Sequence, residues 1–241
     1  MIVFVSGTGT DVGKTHVSCA LLASIRTIAP TLRVTAWKPV LTGVPLTPTD
    51  DEEPTDQGRH AAYLDRVTPS PAHVFVPPIS PHLAAREVGV HLCVHRLATT
   101  ALTIAKDVDV LLIEGAGGLF SPIADDTTYA DFVGVLRARI GDRLRVLLVA
   151  PDRLGVLHDL RATLLAARHV GTPVTAIALS APAVVDASTG RNAAEVNRLL
   201  IGPLAGVFPR EEPASVGSRF AAETTWRRLG LPALLDDASR G

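Results

Sequence analysis

The sequence lacks most of the features that place a chain outside the ordinary globular class. Only two of its 241 residues are cysteine, Cys19 and Cys93, so a disulfide framework is excluded and a reducing compartment is favoured. No apolar run approaches the roughly 18 residues that cross a membrane. The first residues carry no positively charged segment of the kind that begins a signal peptide. We therefore predict a cytoplasmic protein that does not interact with a membrane.

The sequence also lacks an excess of charge of either sign, and it has few aromatic residues. Lysine and arginine together number 23 against 24 aspartates and glutamates, which gives no basic footprint for nucleic acid. Aromatic residues make up 4% of the chain, so the core must be built from aliphatic side chains. A chain of 241 residues can bury such a core without disulfides or metals. We predict a single domain over residues 1–241.

Short apolar runs alternate along the chain with longer segments of helical periodicity. The runs are largely unalternating, as in strands that are buried on both faces of a parallel sheet. Four are clear and two are weaker: residues 2–5, 108–113, 146–150 and 174–179, then 33–37 and 205–208. Helical spacing is found over residues 15–28, 157–169 and 192–201. This alternation predicts an α/β fold with a doubly wound, mainly parallel sheet and helices on both faces. The segment after about residue 210 gives no clear signal.

The strongest motif is the glycine-rich segment GTGTDVGKT at residues 7–15, called here the phosphate loop. It lies between a buried-type strand and a helical pattern, which is the context that a nucleotide-binding loop of the P-loop type requires. Its backbone N–H groups and the helix N-terminus would bind an anion. Lys14 would then reach the β- and γ-phosphates, and the Thr15 hydroxyl would bind Mg²⁺. In the usual P-loop motif, four residues separate the first glycine from the Gly-Lys-Thr sequence, whereas five do so here. A generic glycine-rich turn is therefore the alternative to a P-loop.

Four further motifs follow in an order that resembles one family. They are KPVLTG at residues 38–43, SPH at 80–82, EGAGG at 114–118 and YADF at 129–132. Together with the phosphate loop, they make the chain similar to the dethiobiotin synthetases, which are ATP- and Mg²⁺-dependent P-loop enzymes of biotin synthesis. The resemblance implies carboxylation and ring closure of 7,8-diaminononanoate with CO₂ by a homodimer. A cobyrinic acid diamide synthase would need a glutaminase domain, for which the chain has no room.

The resemblance and the phosphate loop together give a set of candidate site residues. Lys14 and Lys38 are the candidate catalytic residues, and Thr42 would bind the diamine. The candidate metal ligands are Thr15, Glu114 and an aspartate, for which Asp56 is preferred over Asp50 and Asp51. ATP would be bound by two segments and one further residue: Thr10, Asp11, Val12, Gly13, Lys14, Thr15 and His16; Glu114, Gly115, Ala116 and Gly117; and Pro209.

Each of the main assignments has a structural alternative. Glu114 could cap a helix or be solvated, Lys38 could lie on the surface, and Asp56 could be a plain N-cap. Thr42 could be an ordinary turn residue. For His16, which follows Thr15 directly, we expect only the backbone to matter.

The chain departs from the family pattern at the residues that would recognise the base of the nucleotide. The family often carries Asn-Asp after the strand at 174–179, whereas this chain has Ser180 and Ala181. A hydroxyl lacks the paired donor and acceptor of a carboxamide, so the base preference stays open. A non-catalytic nucleotide switch that resembles the partition ATPases is the other reading. Those proteins commonly carry a second lysine just before the phosphate loop, and residues 4–7 contain none.

Overall fold

A six-stranded parallel sheet organises the chain. The computed structural model describes residues 1–46 and 53–238. The strand order is β2-β5-β1-β6-β7-β8, and every neighbouring pair is parallel. A second, two-stranded parallel sheet pairs β3 with β4. The strands are β1 (Ile2–Gly7), β2 (Val34–Trp37), β3 (Val40–Leu41), β4 (His73–Val74), β5 (Val110–Gly118), β6 (Leu144–Pro151), β7 (Ala176–Ser180) and β8 (Leu204–Phe208).

Helices cover both faces of this sheet, which confirms the predicted fold class. Phe4 on β1 belongs to a core cluster shared with α4 and α5, whereas its neighbour Val5 belongs to a cluster shared with α1 and α8. Within the described residues, no helix is both long and apolar enough to span a bilayer. The helices are α1 (Lys14–Ile28), α2 (Asp56–Ala61), α3 (Pro81–Glu87), α4 (Val94–Ile104), α5 (Tyr129–Ile140), α6 (Val156–His169), α7 (Asn192–Arg198), α8 (Val216–Leu229) and α9 (Leu231–Ala238).

The strand order brings the carboxyl ends of β1, β2 and β5 to one edge of the sheet. Ligands bind outside this edge in open α/β sheets. The expected end of β5 at residue 113 was wrong, because the strand continues to Gly118. Its extension is held by pairing of Val5 with Glu114 and of Gly7 with Gly118, with a bulge in between. Glu114 therefore lies within the strand, next to the start of the phosphate loop.

The segment after residue 210, which carried no clear signal, forms a helix that completes one face of the core. Helix α8 packs on α1, and its Trp226 side chain is fully buried. The Trp226 indole N–H donates to the Leu21 carbonyl at 3.0 Å. The other buried positions of α8 include small or polar residues such as Ser218, Ala221 and Thr225, which do not form an apolar pattern.

Candidate active site

The phosphate loop is held in one conformation by its two ends and by Gly13. The Thr8 N–H donates to the Val149 carbonyl at 3.0 Å, so the start of the loop is fixed to β6. Gly13 has φ of +91°, and a Cβ there would lie 2.2 Å from Ser180 Oγ. Only glycine fits a backbone that is both left-handed and so close to a neighbour. Lys14 then begins α1, whose N-terminus carries the positive end of the helix dipole. The loop is thus preformed to receive an anion.

Lys14 is buried beneath this loop, and its pKa is lowered. The residue is 7% exposed, and Nζ donates to the Gly9 carbonyl at 3.0 Å. Burial, followed by the nearby Lys38 ammonium, lowers the pKa of Lys14 to about 8. An ammonium has three donors, so the bond to Gly9 leaves others for an anion.

Lys38, directly after β2, lies between two carboxylates. Lys38 is 4% exposed, and its Nζ is 2.7 Å from Glu114 Oε1 and 2.5 Å from Asp56 Oδ2. Burial disfavours the charged form, but these carboxylates outweigh it and raise the pKa of Lys38. Its backbone is fixed as well, because Lys38 N donates to Gln57 Oε1 at 2.7 Å. The alternative of a surface lysine was therefore wrong.

Glu114 is fully buried and accepts from four side chains. On Oε1 the donors are Thr15 Oγ1 at 2.9 Å and Lys38 Nζ at 2.7 Å. On Oε2 the donors are Ser18 Oγ at 2.7 Å and His60 Nε2 at 2.9 Å. Burial alone would raise the pKa of Glu114, but Lys38 and His60 outweigh it and hold the pKa well below its usual value. A helix cap or a solvated glutamate, the alternatives for this residue, were wrong.

Asp56 completes the acidic side of the cluster as the first residue of α2. Thr55 is the N-cap of this helix, and its hydroxyl accepts from the Gly58 N–H at 3.2 Å. The alternative of a plain N-cap at Asp56 was therefore wrong. Thr15 Oγ1 also lies 2.8 Å from Asp56 Oδ1, so its single hydrogen is shared between two carboxylates. Asp50 and Asp51, the other candidates, lie outside the described residues.

Lys38, Asp56 and Glu114 lie on the wall of a cleft of about 1040 Å³, and most of the other predicted site residues line the same cleft. Gly115 and Pro209 are not among its lining residues. Gly115 is in contact with the cluster through its carbonyl, which lies 3.5 Å from Lys38 Nζ. The predicted residues that line the cleft are Thr10, Asp11, Val12, Gly13, Lys14, Thr15, His16, Lys38, Thr42, Asp56, Glu114, Ala116 and Gly117.

The His16 side chain makes a contact within the protein that the sequence analysis did not predict. His16 Nε2 lies 2.8 Å from the Pro209 carbonyl oxygen. The side chain therefore links the start of α1 to the segment after β8. Burial, the largest effect, lowers the pKa of His16 despite this hydrogen bond, so the neutral ring is favoured, with its Nε2–H donating to the carbonyl.

Three polar residues of the cluster were not predicted from the sequence: Ser18, Gln57 and His60. Ser18 follows Thr15 by three residues and His60 follows Asp56 by four, so each shares a helix face with a predicted ligand. That spacing was the available signal. Gln57 gave none, because its role is to accept from the Lys38 backbone and to donate to the Ala36 carbonyl at 3.2 Å.

Comparisons with known proteins agree on the family and on the fold. Residues 2–215 match the family model described as an AAA domain. An "ATP-dependent dethiobiotin synthetase BioD" of Caulobacter vibrioides is 39% identical over 179 residues, which cover 73% of this chain and 78% of that protein. The protein with the same name from Rhodopirellula baltica is 35% identical over 207 residues, 81% of this chain and 78% of that one.

Solved structures that resemble this one are of the P-loop NTPase type. The septum site-determining protein MinD complexed with Mg-ADP, from Pyrococcus horikoshii, has a TM-score of 0.55 at 15% identity and covers 97% of this chain and 98% of its own. The MinC:MinD complex of Aquifex aeolicus also has a TM-score of 0.55, at 11% identity, with 95% of each chain covered. At such low identity these structures show the fold alone.

Proposed function

The chain belongs to the dethiobiotin synthetase family, and from that premise we propose that it carboxylates 7,8-diaminononanoate and closes it to dethiobiotin at the expense of ATP. The main structural support for this assignment is that Lys14, Lys38 and Glu114 lie together beside the phosphate loop. Of only three lysines in the sequence, two reach this one cleft.

A divalent cation fits the oxygen cluster at the start of α1. We propose that Thr15, Asp56 and Glu114 would hold Mg²⁺, since hydroxyl and carboxylate oxygens are the ligands that this ion prefers. The fit is supported by Thr15 Oγ1, which lies 2.8 Å from Asp56 Oδ1 and 2.9 Å from Glu114 Oε1. When bound, the ion would neutralise negative charge on the phosphate oxygens.

The reaction needs positioned reactants and stabilised negative charge more than it needs a proton relay. One amine of the substrate adds CO₂ and becomes a carbamate. A carbamate oxygen then attacks the γ-phosphorus of ATP, so that ADP leaves and a carbamic–phosphoric anhydride forms. The second amine attacks the carbonyl carbon, phosphate leaves, and the ureido ring is closed. Most of the barrier reduction in such transfers comes from positioning and electrostatics.

Each of the two lysines has a role that suits its environment. Lys14, together with the positive end of the α1 helix dipole, would bind the β- and γ-phosphates. Lys38 stays charged beside its carboxylates and would stabilise negative charge on the carbamate and on the transferred phosphoryl group. Thr42 lines the same cleft a few residues beyond Lys38, which supports contact with the diamine.

The experiment that tests this function is product formation. The full chain is incubated with 7,8-diaminononanoate, bicarbonate, ATP and Mg²⁺, and dethiobiotin and phosphate are quantified. We expect one phosphate per dethiobiotin, and no product when EDTA removes the metal. Phosphate release without the diamine and without ring closure would instead favour the partition-ATPase type of switch. No observation favours that alternative at present, since the MinD structures share only the fold.

We also propose that residues 1–241 form one domain that assembles as a homodimer. The packing of α8 on α1 supports one domain, because it joins the end of the described chain to its beginning. The homodimer is supported by family membership alone. Light scattering should give a mass near twice the 25.3 kDa of one chain.

A further inference from the structure

His60 is a fully buried histidine that no motif of the sequence accounts for. Its Nε2 is 2.9 Å from Glu114 Oε2, and both residues are 0% exposed. Because the ionised carboxylate can only accept, Nε2 carries the hydrogen of this bond. The other ring nitrogen, Nδ1, is also buried and has no hydrogen-bond partner among the described residues. A leucine would fill such a position without an unpartnered nitrogen, so packing alone is a poor explanation of the imidazole.

The two oxygens of Glu114 have different neighbours. Oε1 accepts from Thr15 and Lys38, which line the cleft. Oε2 accepts from Ser18 and His60, and neither of them is a lining residue. One oxygen therefore faces the cleft, and the other is held from the protein interior.

A carboxylate needs such holding because its terminal torsion is soft. Rotation about the last bond of glutamate has a broad, roughly two-fold preference. The side chain alone would therefore not keep one oxygen towards the cleft. Two donors on Oε2, from helices α1 and α2, fix the plane of the carboxylate. Helix α2 thereby supplies Asp56 to the cleft and, four residues later on the same face, His60 to the back of Glu114.

We propose that His60 is a positioning residue whose Nε2–H bond to Glu114 Oε2 keeps Oε1 directed into the cleft, where it would contact Mg²⁺. The inference rests on the proposed function, because it concerns the metal ligands assigned there. Partners that orient a metal ligand in this way commonly change metal affinity or activity by about 10- to 100-fold when they are removed.

The test measures the gain in ATP affinity that Mg²⁺ provides. Isothermal titration calorimetry on the full chain gives Kd for ATP in excess Mg²⁺ and in EDTA, and the ratio of the two constants reports the metal contacts. We expect His60→Leu to reduce this ratio about tenfold or more and to leave Kd in EDTA unchanged. His60→Gln, whose amide can donate in place of Nε2, should restore most of the ratio.

The outcomes separate positioning from packing. If His60 merely fills space, both variants lower the melting temperature and the ratio keeps its parental value, which would overturn the inference. A glutamine variant as impaired as the leucine variant would overturn it too. If His60→Leu does not fold, His60→Asn replaces it, because an asparagine amide can take the place of Nδ1 and not of Nε2 and so removes the donor to Oε2. A reduced ratio in that variant supports the inference, and a parental ratio overturns it.

The same experiment distinguishes the inference from the function on which it rests. If the parent protein gains no ATP affinity from Mg²⁺, the proposed metal site is wrong and the inference falls with it. If the parent gains affinity and His60→Leu retains all of that gain, the inference alone is overturned.

Discussion

The carboxyl ends of the parallel strands form one edge of the large sheet, and the two halves of this edge differ in the side chains that they carry. At the ends of β1, β2 and β5, charged side chains are buried and each has a partner, as the contacts of Lys38 and Glu114 show. At the ends of β7 and β8, the buried Ser180 is uncharged, and the charged residues that follow β8, Arg210, Glu211 and Glu212, are exposed. The first half suits a strongly charged triphosphate and the second a neutral base. The candidate residues that carry charge therefore all belong to the first half.

The first prediction removes a charge from the first half. Lys38→Ala should reduce turnover by at least about 10²–10³-fold, since it deletes a donor aimed at developing charge, while Mg·ATP binding stays largely intact. Without metal, the variant should also lose about 3–5 kcal/mol of unfolding free energy, because Glu114 loses its buried counter-charge. Steady-state kinetics, calorimetry and denaturant unfolding measure the three quantities.

Lys106→Ala is the matched control for this variant, because Lys106 is the third lysine of the chain and is exposed. It should leave turnover and stability at parental values. Full activity in the Lys38→Ala variant would refute the role given to Lys38.

The second prediction concerns the contact between the two halves. Gly13→Ala should abolish measurable ATP binding, because a Cβ would lie 2.2 Å from Ser180 Oγ and the residue has φ of +91°. Gly171→Ala isolates the backbone penalty, since Gly171 has φ of +70° with nothing within 4 Å of an added Cβ. This control should lose only about 1–2 kcal/mol of stability.

The double variant Gly13→Ala, Ser180→Gly sharpens the comparison. Deleting the Ser180 side chain removes the clash but not the left-handed backbone, so ATP binding should return in part. No recovery would show that the backbone conformation alone decides the effect. Calorimetric Kd values for the two single variants and the double variant supply the measurement.

The smallest predicted effect lies in the second half. Ser180 is buried against Gly13, and its hydroxyl lacks the paired donor and acceptor with which a carboxamide reads a base. We therefore expect GTP and CTP to replace ATP with kcat/KM within about tenfold, a difference of about 1.4 kcal/mol. A preference for ATP above that range would mean that other groups, such as the backbone near Pro209, read the base.

The sequence alone predicted the family and the fold class, which are confirmed, and it located the six strands of the large sheet, with the end of β5 placed too early. These predictions succeeded because buried parallel strands and phosphate loops constrain residue types locally. His60 and Ser18 were missed because their role depends on a contact with Glu114 across 54 and 96 residues of chain. Helix α8 was missed because small and polar residues occupy much of its buried face around Trp226. The assignments of ATP-binding, metal-binding and catalytic residues remain predictions.

The most direct test of the account is a crystal structure with Mg²⁺, a nonhydrolysable ATP analogue and 7,8-diaminononanoate. We predict that the triphosphate lies within residues 7–15, with Lys14 and Lys38 at hydrogen-bond distance from the γ-phosphate or the carbamate. The metal should contact Thr15 and lie beside Asp56 and Glu114. A triphosphate bound elsewhere, or a Lys38 side chain directed away from its terminal phosphate, would contradict the account.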